Sequence, residues 1–191
     1  MQIPAASPQA ALARLRVLLA DLGLAPKEAK TRIVELAVDG EGFDFLGFHH
    51  RMVRSRGSHG RRGIDLLARW PSDRAMRRAR DRITELTVQS RLWLPVEEVV
   101  EDLNRFLRGW AAYFRFGNSA ARFHKIEQDA RLRLALFIGK RYQRGRGFGW
   151  SVLAYKSADF CGLLSLDGAV IAPRADKPWR VKPNADGERR R

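Results

Sequence analysis

Arginine at helical spacing is the chemistry this sequence offers most plainly. Arg74, Arg77 and Arg78 crowd one segment together with Arg80 and Arg82, and Arg122, Lys125, Arg131, Arg133, Lys140 and Arg141 follow on a later one. Between them Arg105, Arg108 and Arg115 lie off the apolar stripe of their own segment, where they can reach a polyanion. The run from Arg54 to Arg62 has no apolar residue and reads as a flexible basic tip. A guanidinium matches phosphate oxygens two at a time, and contact with a phosphate backbone needs only positive charge on a rigid scaffold. One charged helix face is usually solvated surface; three basic elements in succession point to a polyanionic partner. The candidate phosphate contacts are therefore Arg54, Arg56, Arg61, Arg62, Arg74, Arg77, Arg78, Arg108, Arg115, Arg122, Lys125, Arg131 and Arg133.

The charge is unevenly placed. Residues 1–50 hold 5 basic and 6 acidic side chains, whereas residues 51–191 hold 31 and 15, so the whole net charge of +15 comes from the later part. Such a segment concentrates polyanions and speeds their capture. Arginine supplies 29 of the 36 basic residues, a bias that codon usage could also produce.

Other chemistries find little support. His49 and His50 are neighbours and face opposite ways in a strand, His59 lies in the basic run, and His124 falls on a helix. No carboxylate or cysteine stands at a ligand spacing beside them, so neither a metal site nor a cofactor is expected. Asp44 reads as the solvent face of a strand. No nucleophile elbow is present, and the glycines of Gly145-Arg146-Gly147-Phe148-Gly149 lack the strand, helix and acid of a dinucleotide site and read as a turn. The single cysteine, Cys161, sits among apolar residues and reads as a small buried hydrophobe. One cysteine excludes a disulfide framework and suggests the reducing cytoplasm. There is no apolar run of membrane-spanning length, and Met1-Gln2-Ile3-Pro4 lacks the regions of a signal peptide.

These side chains need elements to hold them, and the expected class is mainly α with a small β part. Ser7-Pro8 opens a helix whose face is Leu12, Leu15, Leu18, Leu19 and Leu22, with Gly23 as its stop. Lys30–Leu36 and Phe43–Phe48 read as strands joined across Asp39-Gly40-Glu41-Gly42, and Gly63–Trp70 as a third strand. Three helices follow. The first is capped by Ser72 and buries Met76, Ala79, Ile83 and Leu86. The second opens at Pro95 and buries Val96, Val99, Val100, Leu103, Phe106, Leu107, Trp110 and Tyr113. The third starts at Asn118 or Ser119 and buries Phe123, Ile126, Ala130, Leu134, Phe137 and Ile138. Trp110 and Tyr113 are thus assigned to packing before base stacking. Strand-like pieces are expected at 152–155, 163–166 and 169–171, with Asp167-Gly168 as a turn, and the tail after Pro178 reads as disordered.

Several stretches resemble the C-terminal part of group II intron-encoded reverse transcriptases. Arg108-Gly109-Trp110, Tyr113-Phe114-Arg115 and Gly117-Asn118-Ser119 resemble the maturase-specific, or thumb, domain. Lys30–Val34 and Gly42–Phe48 resemble the end of the palm and its primer-grip hairpin. Gly149-Trp150, Ser165–Gly168 and Ala172-Pro173-Arg174 resemble a C-terminal extension of one bacterial branch. The resemblance implies a palm-end region at 1–70, a thumb-like three-helix domain at 71–143 and an extension with a disordered basic tail at 144–191. It also implies a module that binds group II intron RNA through the candidate arginines and assists splicing. The family's Tyr-Ala-Asp-Asp type motif is absent from this sequence, so no polymerase chemistry is expected. The alternatives are one half of a split reverse transcriptase completed by a separately encoded palm, or a truncated remnant without function.

Overall fold

The computed structural model describes residues 7–31, 33–38, 40–54, 63–155 and 162–171. These fall into two compact units divided between Ala37 and Val38.

The first unit is built on α1 (Pro8–Asp21). Ser7 caps it by accepting from the Ala10 amide, and Pro8 takes the first turn, where a missing N–H costs nothing. It ends in a Schellman turn, with Gly23 at φ +68° and the Leu24 amide bonded to the Leu19 carbonyl. No residue of α1 is buried, so its leucine stripe is uncovered within this unit. A 2.8 Å ion pair from Arg16 to Glu28 ties the helix to a short 3-10 turn at Glu28–Lys30.

The second unit opens with an antiparallel sheet in the order β1 (Phe43–Phe45), β2 (Phe48–Arg54), β3 (Asp65–Pro71). The third strand is where its pattern placed it. The expected strand at Lys30–Leu36 is not formed; its described residues lie in the 3-10 turn or run unpaired, and only Val38 bridges to Met52. The partner of β1 lies downstream, across the two-residue turn Leu46-Gly47, where both residues have positive φ (48° and 80°). Asn-Gly would have announced that turn; Leu-Gly does not.

Helices α2 (Asp73–Leu86), α3 (Val96–Phe114) and α4 (Ala120–Arg141) then enclose one core. Most of the expected stripes are buried as read, with Val96 and Phe106 half-buried at the edge of the core and Ile83, Leu103, Ile126, Leu134 and Ile138 at 0% exposure. Each such side chain contributes roughly 1.5–3 kcal/mol of burial. Trp110 is buried against Phe114 and Phe123, with ring centroids 5.1 and 4.8 Å away. Tyr113 departs from the reading, because it is 53% exposed and only its edge packs on Phe48 and Phe114.

Two corrections concern the C-terminal part. The Gly145–Gly149 stretch is not a turn, and 152–155 is not a strand: past Gly145, both belong to α5 (Arg146–Tyr155), which packs on α4. Gly149 makes that packing possible, since a Cβ there would lie 1.9 Å from the Ala135 carbonyl oxygen. Close helix approach outweighs the poor helix propensity of glycine. The segments 163–166 and 169–171 are extended but join no sheet; they form a strap across α3 and α4, with a turn at Asp167-Gly168. Cys161, His59, most of the basic loop and the tail after Pro178 lie outside the described residues.

Candidate nucleic-acid interface

Two ion pairs set the geometry of the basic helices. Arg80 Nε donates to Asp129 Oδ2 at 2.7 Å, and Arg122 Nη1 lies 3.2 Å from Asp73 Oδ1. Both pairs join α2 to α4 across the same sequence offset, 49 residues, which requires the two helices to run parallel and in register. Arg77 falls one turn after Asp73 and one turn before Arg80, and Lys125 falls one turn after Arg122 and one turn before Asp129 on α4. Both are exposed, as are Arg74 and Arg78 beside them. The seam continues into a groove of about 400 Å³ lined by Arg80, Thr84, Asp129 and Arg133. Arg74, Arg77, Arg78, Lys125 and Arg133 make no ion pair among the described residues.

The remaining candidates are placed differently. Arg108 is exposed on α3. Arg131 is half-buried and donates to the buried Glu127 at 2.7 Å. Arg115 is half-buried at the end of α3, its guanidinium 5.4 Å from the Phe116 ring centre, and its carbonyl accepts from the Ile171 amide at 2.7 Å. Arg54 forks onto Asp65 with bonds of 2.7 and 3.1 Å, and that contact holds the Asp65 carboxyl below its usual pKa. Arg56, Arg61 and Arg62 lie outside the described residues. Arg141, from the same basic helix, is spent inside the fold, donating to the carbonyls of Leu92 and Leu94.

Residues 76–155, from α2 to the last residue of α5, match the family model of the group II intron, maturase-specific domain. Over that stretch the chain is similar to a maturase-specific domain. No curated protein matches the chain. The matched region of this domain includes α5 as well as the bundle.

Three residues that hold the helical unit in shape went unread in the sequence. Asn104 occupies a buried position in the α3 stripe and bonds the strap on both sides, accepting from the Leu164 amide (2.7 Å) and donating to the Gly162 carbonyl (2.5 Å). Glu127, 3% exposed, accepts from the Leu166 amide at 3.0 Å and from Ser165 Oγ at 3.3 Å. Their signal was a polar residue inside an apolar stripe, which a buried backbone segment must answer. Arg69 on β3 does the same for the α3–α4 turn. Its Nε donates to the Phe116 carbonyl (2.7 Å), and its own carbonyl accepts from the Asn118 amide (2.7 Å). A Cβ at Gly117 would lie 2.6 Å from that carbonyl, so Gly117-Asn118-Ser119 is a docking turn for the sheet.

Among the described residues no group of His, Cys, Asp or Glu is placed to hold a metal ion. Asp44, exposed as read, bonds His49 Nδ1 at 2.7 Å, while His50 stacks on Phe43 from the other face of β2. No helix among the described residues is long and apolar enough to cross a membrane.

Proposed function

We propose that the chain binds structured group II intron RNA along the α2–α4 seam and steadies the fold in which the RNA splices itself. The observation that carries this reading is the division of labour among the basic residues. Arg80 and Arg122 are consumed in fixing α2 to α4, while Arg74, Arg77, Arg78, Lys125 and Arg133 keep their donors free on the scaffold thus made rigid. Unpaired guanidinium and ammonium groups on a rigid scaffold suit phosphate contact, and the likeness to the maturase-specific domain supports a group II intron RNA as the partner. In this reading the chain is a binding module and not a polymerase, and the sheet before Ser72 supports the helical domain.

Salt titration tests it. Each phosphate contact releases counterions, so affinity for a cognate intron RNA should fall roughly 10³-fold between 50 and 200 mM salt if about six phosphates are touched. Replacing Arg74, Arg77 and Arg78 with Gln should flatten that slope and leave the circular dichroism unchanged. A duplex RNA of equal length should bind about tenfold more weakly, a difference of about 1.4 kcal/mol. Equal binding would reduce the reading to a generic basic surface, and salt-independent binding would remove it.

One observation favours a second reading, half of a split reverse transcriptase. Within the first unit the α1 stripe is uncovered, with Leu15, Leu18 and Leu22 at 46, 49 and 73% exposure, as a surface awaiting an apolar partner would be. Primer extension on an RNA template with Mg²⁺ separates the two: the chain alone should give no product, and product on adding a palm-containing partner would favour the split enzyme.

A further inference from the structure

Where the end of α2 meets the start of α3, a groove of about 530 Å³ opens on the α3 side of α2, opposite the seam. Its chemistry is mixed. Asp102 forms the fixed floor: Oδ2 accepts from Arg91 Nη2 at 2.5 Å and Oδ1 from Arg105 Nη1 at 3.0 Å. Arg91 is itself tied back to the Leu86 carbonyl at 3.2 Å. These bonds lower the pKa of the Asp102 carboxyl below its usual value, the Arg91 bond contributing most. The rim is freer. Arg105 is 76% exposed and Arg82 54%, each using one N–H within the groove. Glu85 accepts from Arg82 through Oε2 at 2.9 Å, and its Oε1 has no partner among the described residues. Phe106, packed on the core, gives the lining an apolar surface.

A bare phosphate fits this lining poorly, because two carboxylates face it alongside the arginines. The lining asks for a flat ligand with acceptors on one edge and paired donors on another. Among nucleobases guanine has that arrangement: N7 and O6 accept from an arginine fork, while N1–H and the N2 amino group donate together to one carboxylate. Adenine, cytosine and uracil lack the paired donors. We propose that this groove seats one unpaired guanine of the bound RNA, with Arg105 or Arg82 on its N7/O6 edge, Glu85 on its N1/N2 edge and Phe106 beside the ring. Splayed-out bases are the usual sequence-specific targets in RNA, and a groove of this size suits one of them. The proposal rests on the reading of the domain as RNA-binding and adds base selection to it.

The test uses the full chain and short single-stranded uridine oligomers carrying one central guanosine, adenosine or cytidine, with all-uridine as the fourth probe. Fluorescence anisotropy at fixed salt should show the guanosine oligomer bound about tenfold tighter than the others. Glu85→Gln, which replaces one acceptor with a donor, should abolish that preference while binding of the all-uridine oligomer stays within twofold. Arg105→Gln should weaken the guanosine oligomer selectively. The triple Gln variant at Arg74, Arg77 and Arg78 should weaken all four probes alike and preserve the ratio. Equal binding of the four probes to the native chain, or a preference that survives Glu85→Gln, overturns the groove proposal and leaves the seam standing. Loss of binding to intron RNA as well as to the probes overturns both.

Discussion

The hydroxyl of Tyr113 donates a 2.8 Å hydrogen bond to the carbonyl of Leu46, joining residues 67 positions apart. Leu46 sits at φ +48°, a left-handed conformation that costs an L-residue roughly 1–2 kcal/mol, in a turn that prefers Asn-Gly. The same turn receives the Ser72 amide on the Gly47 carbonyl at 2.9 Å. The β1–β2 turn is thus held by the end of α3 and the start of α2 at once. Tyr113→Phe should lower stability by about 1 kcal/mol, and Leu46→Asn should raise it by a similar amount. Chemical denaturation of the two single variants measures both, and a raised midpoint for Tyr113→Phe would refute the contact.

Gly147 and Gly149 lie two residues apart on α5 and should respond oppositely to the same change. At Gly149 a new methyl meets the Ala135 backbone at 1.9 Å, and at Gly147 it meets nothing within 4 Å. Gly149→Ala should separate α5 from α4 and cost about 2 kcal/mol or more. Gly147→Ala should gain roughly 0.5–1 kcal/mol from helix propensity. Melting temperatures of the pair, moving in opposite directions, would establish α5 where a turn was expected.

Glu127 anchors the strap from inside the core. Removing it strips the Leu166 amide of its acceptor and leaves Arg131 without its partner. Glu127→Ala should cost about 3 kcal/mol. Hydrogen exchange at the Leu164 and Leu166 amides should accelerate far more than exchange in α2. Unchanged protection would show the strap to be held elsewhere.

His50 gives stability a pH dependence of known sign. Burial is the main cause of its lowered pKa, with the charges of Arg69 and His49 adding to it and Asp44 opposing. The unfolded chain therefore takes up the proton first, near pH 6.5, and stability is lost as the pH falls through that value toward the folded pKa. His50→Gln should flatten the change in melting temperature between about pH 7.5 and 5.5. An equal slope in the variant would assign the effect to another group.

Trp110 fills the centre of the bundle, 8% exposed. Trp110→Ala should cost about 3–5 kcal/mol through lost burial and the cavity left behind. An unchanged melting temperature would return Trp110 to the stacking role it was denied.

What the chain could announce by itself was local. Helix stripes recur every three or four residues, so Met76, Ile83, Leu103, Ile126 and Leu134 declared the core before any fold was known. Ser7, Gly23 and Ser72 marked helix ends because capping bonds span only a few residues. The excess of arginine, and hence the class of ligand to look for, is also written in composition.

Tertiary structure decided whatever depends on which distant atoms meet. The pattern marked Lys30–Leu36 as a strand but could not supply a neighbouring one, and β1 paired downstream through a leucine held left-handed by Tyr113. Gly149, a poor residue for an isolated helix, became the contact point of α5, because the cost of a glycine depends on what lies 2 Å away. The charges divided in the same way. Arg77 and Arg80 are alike in sequence, yet Asp129, 49 residues away, takes Arg80 for the scaffold and leaves Arg77 to solvent. Periodicity assigns a residue to a face. Only the packing of one helix on another decides whether its charge is spent there or kept for a ligand.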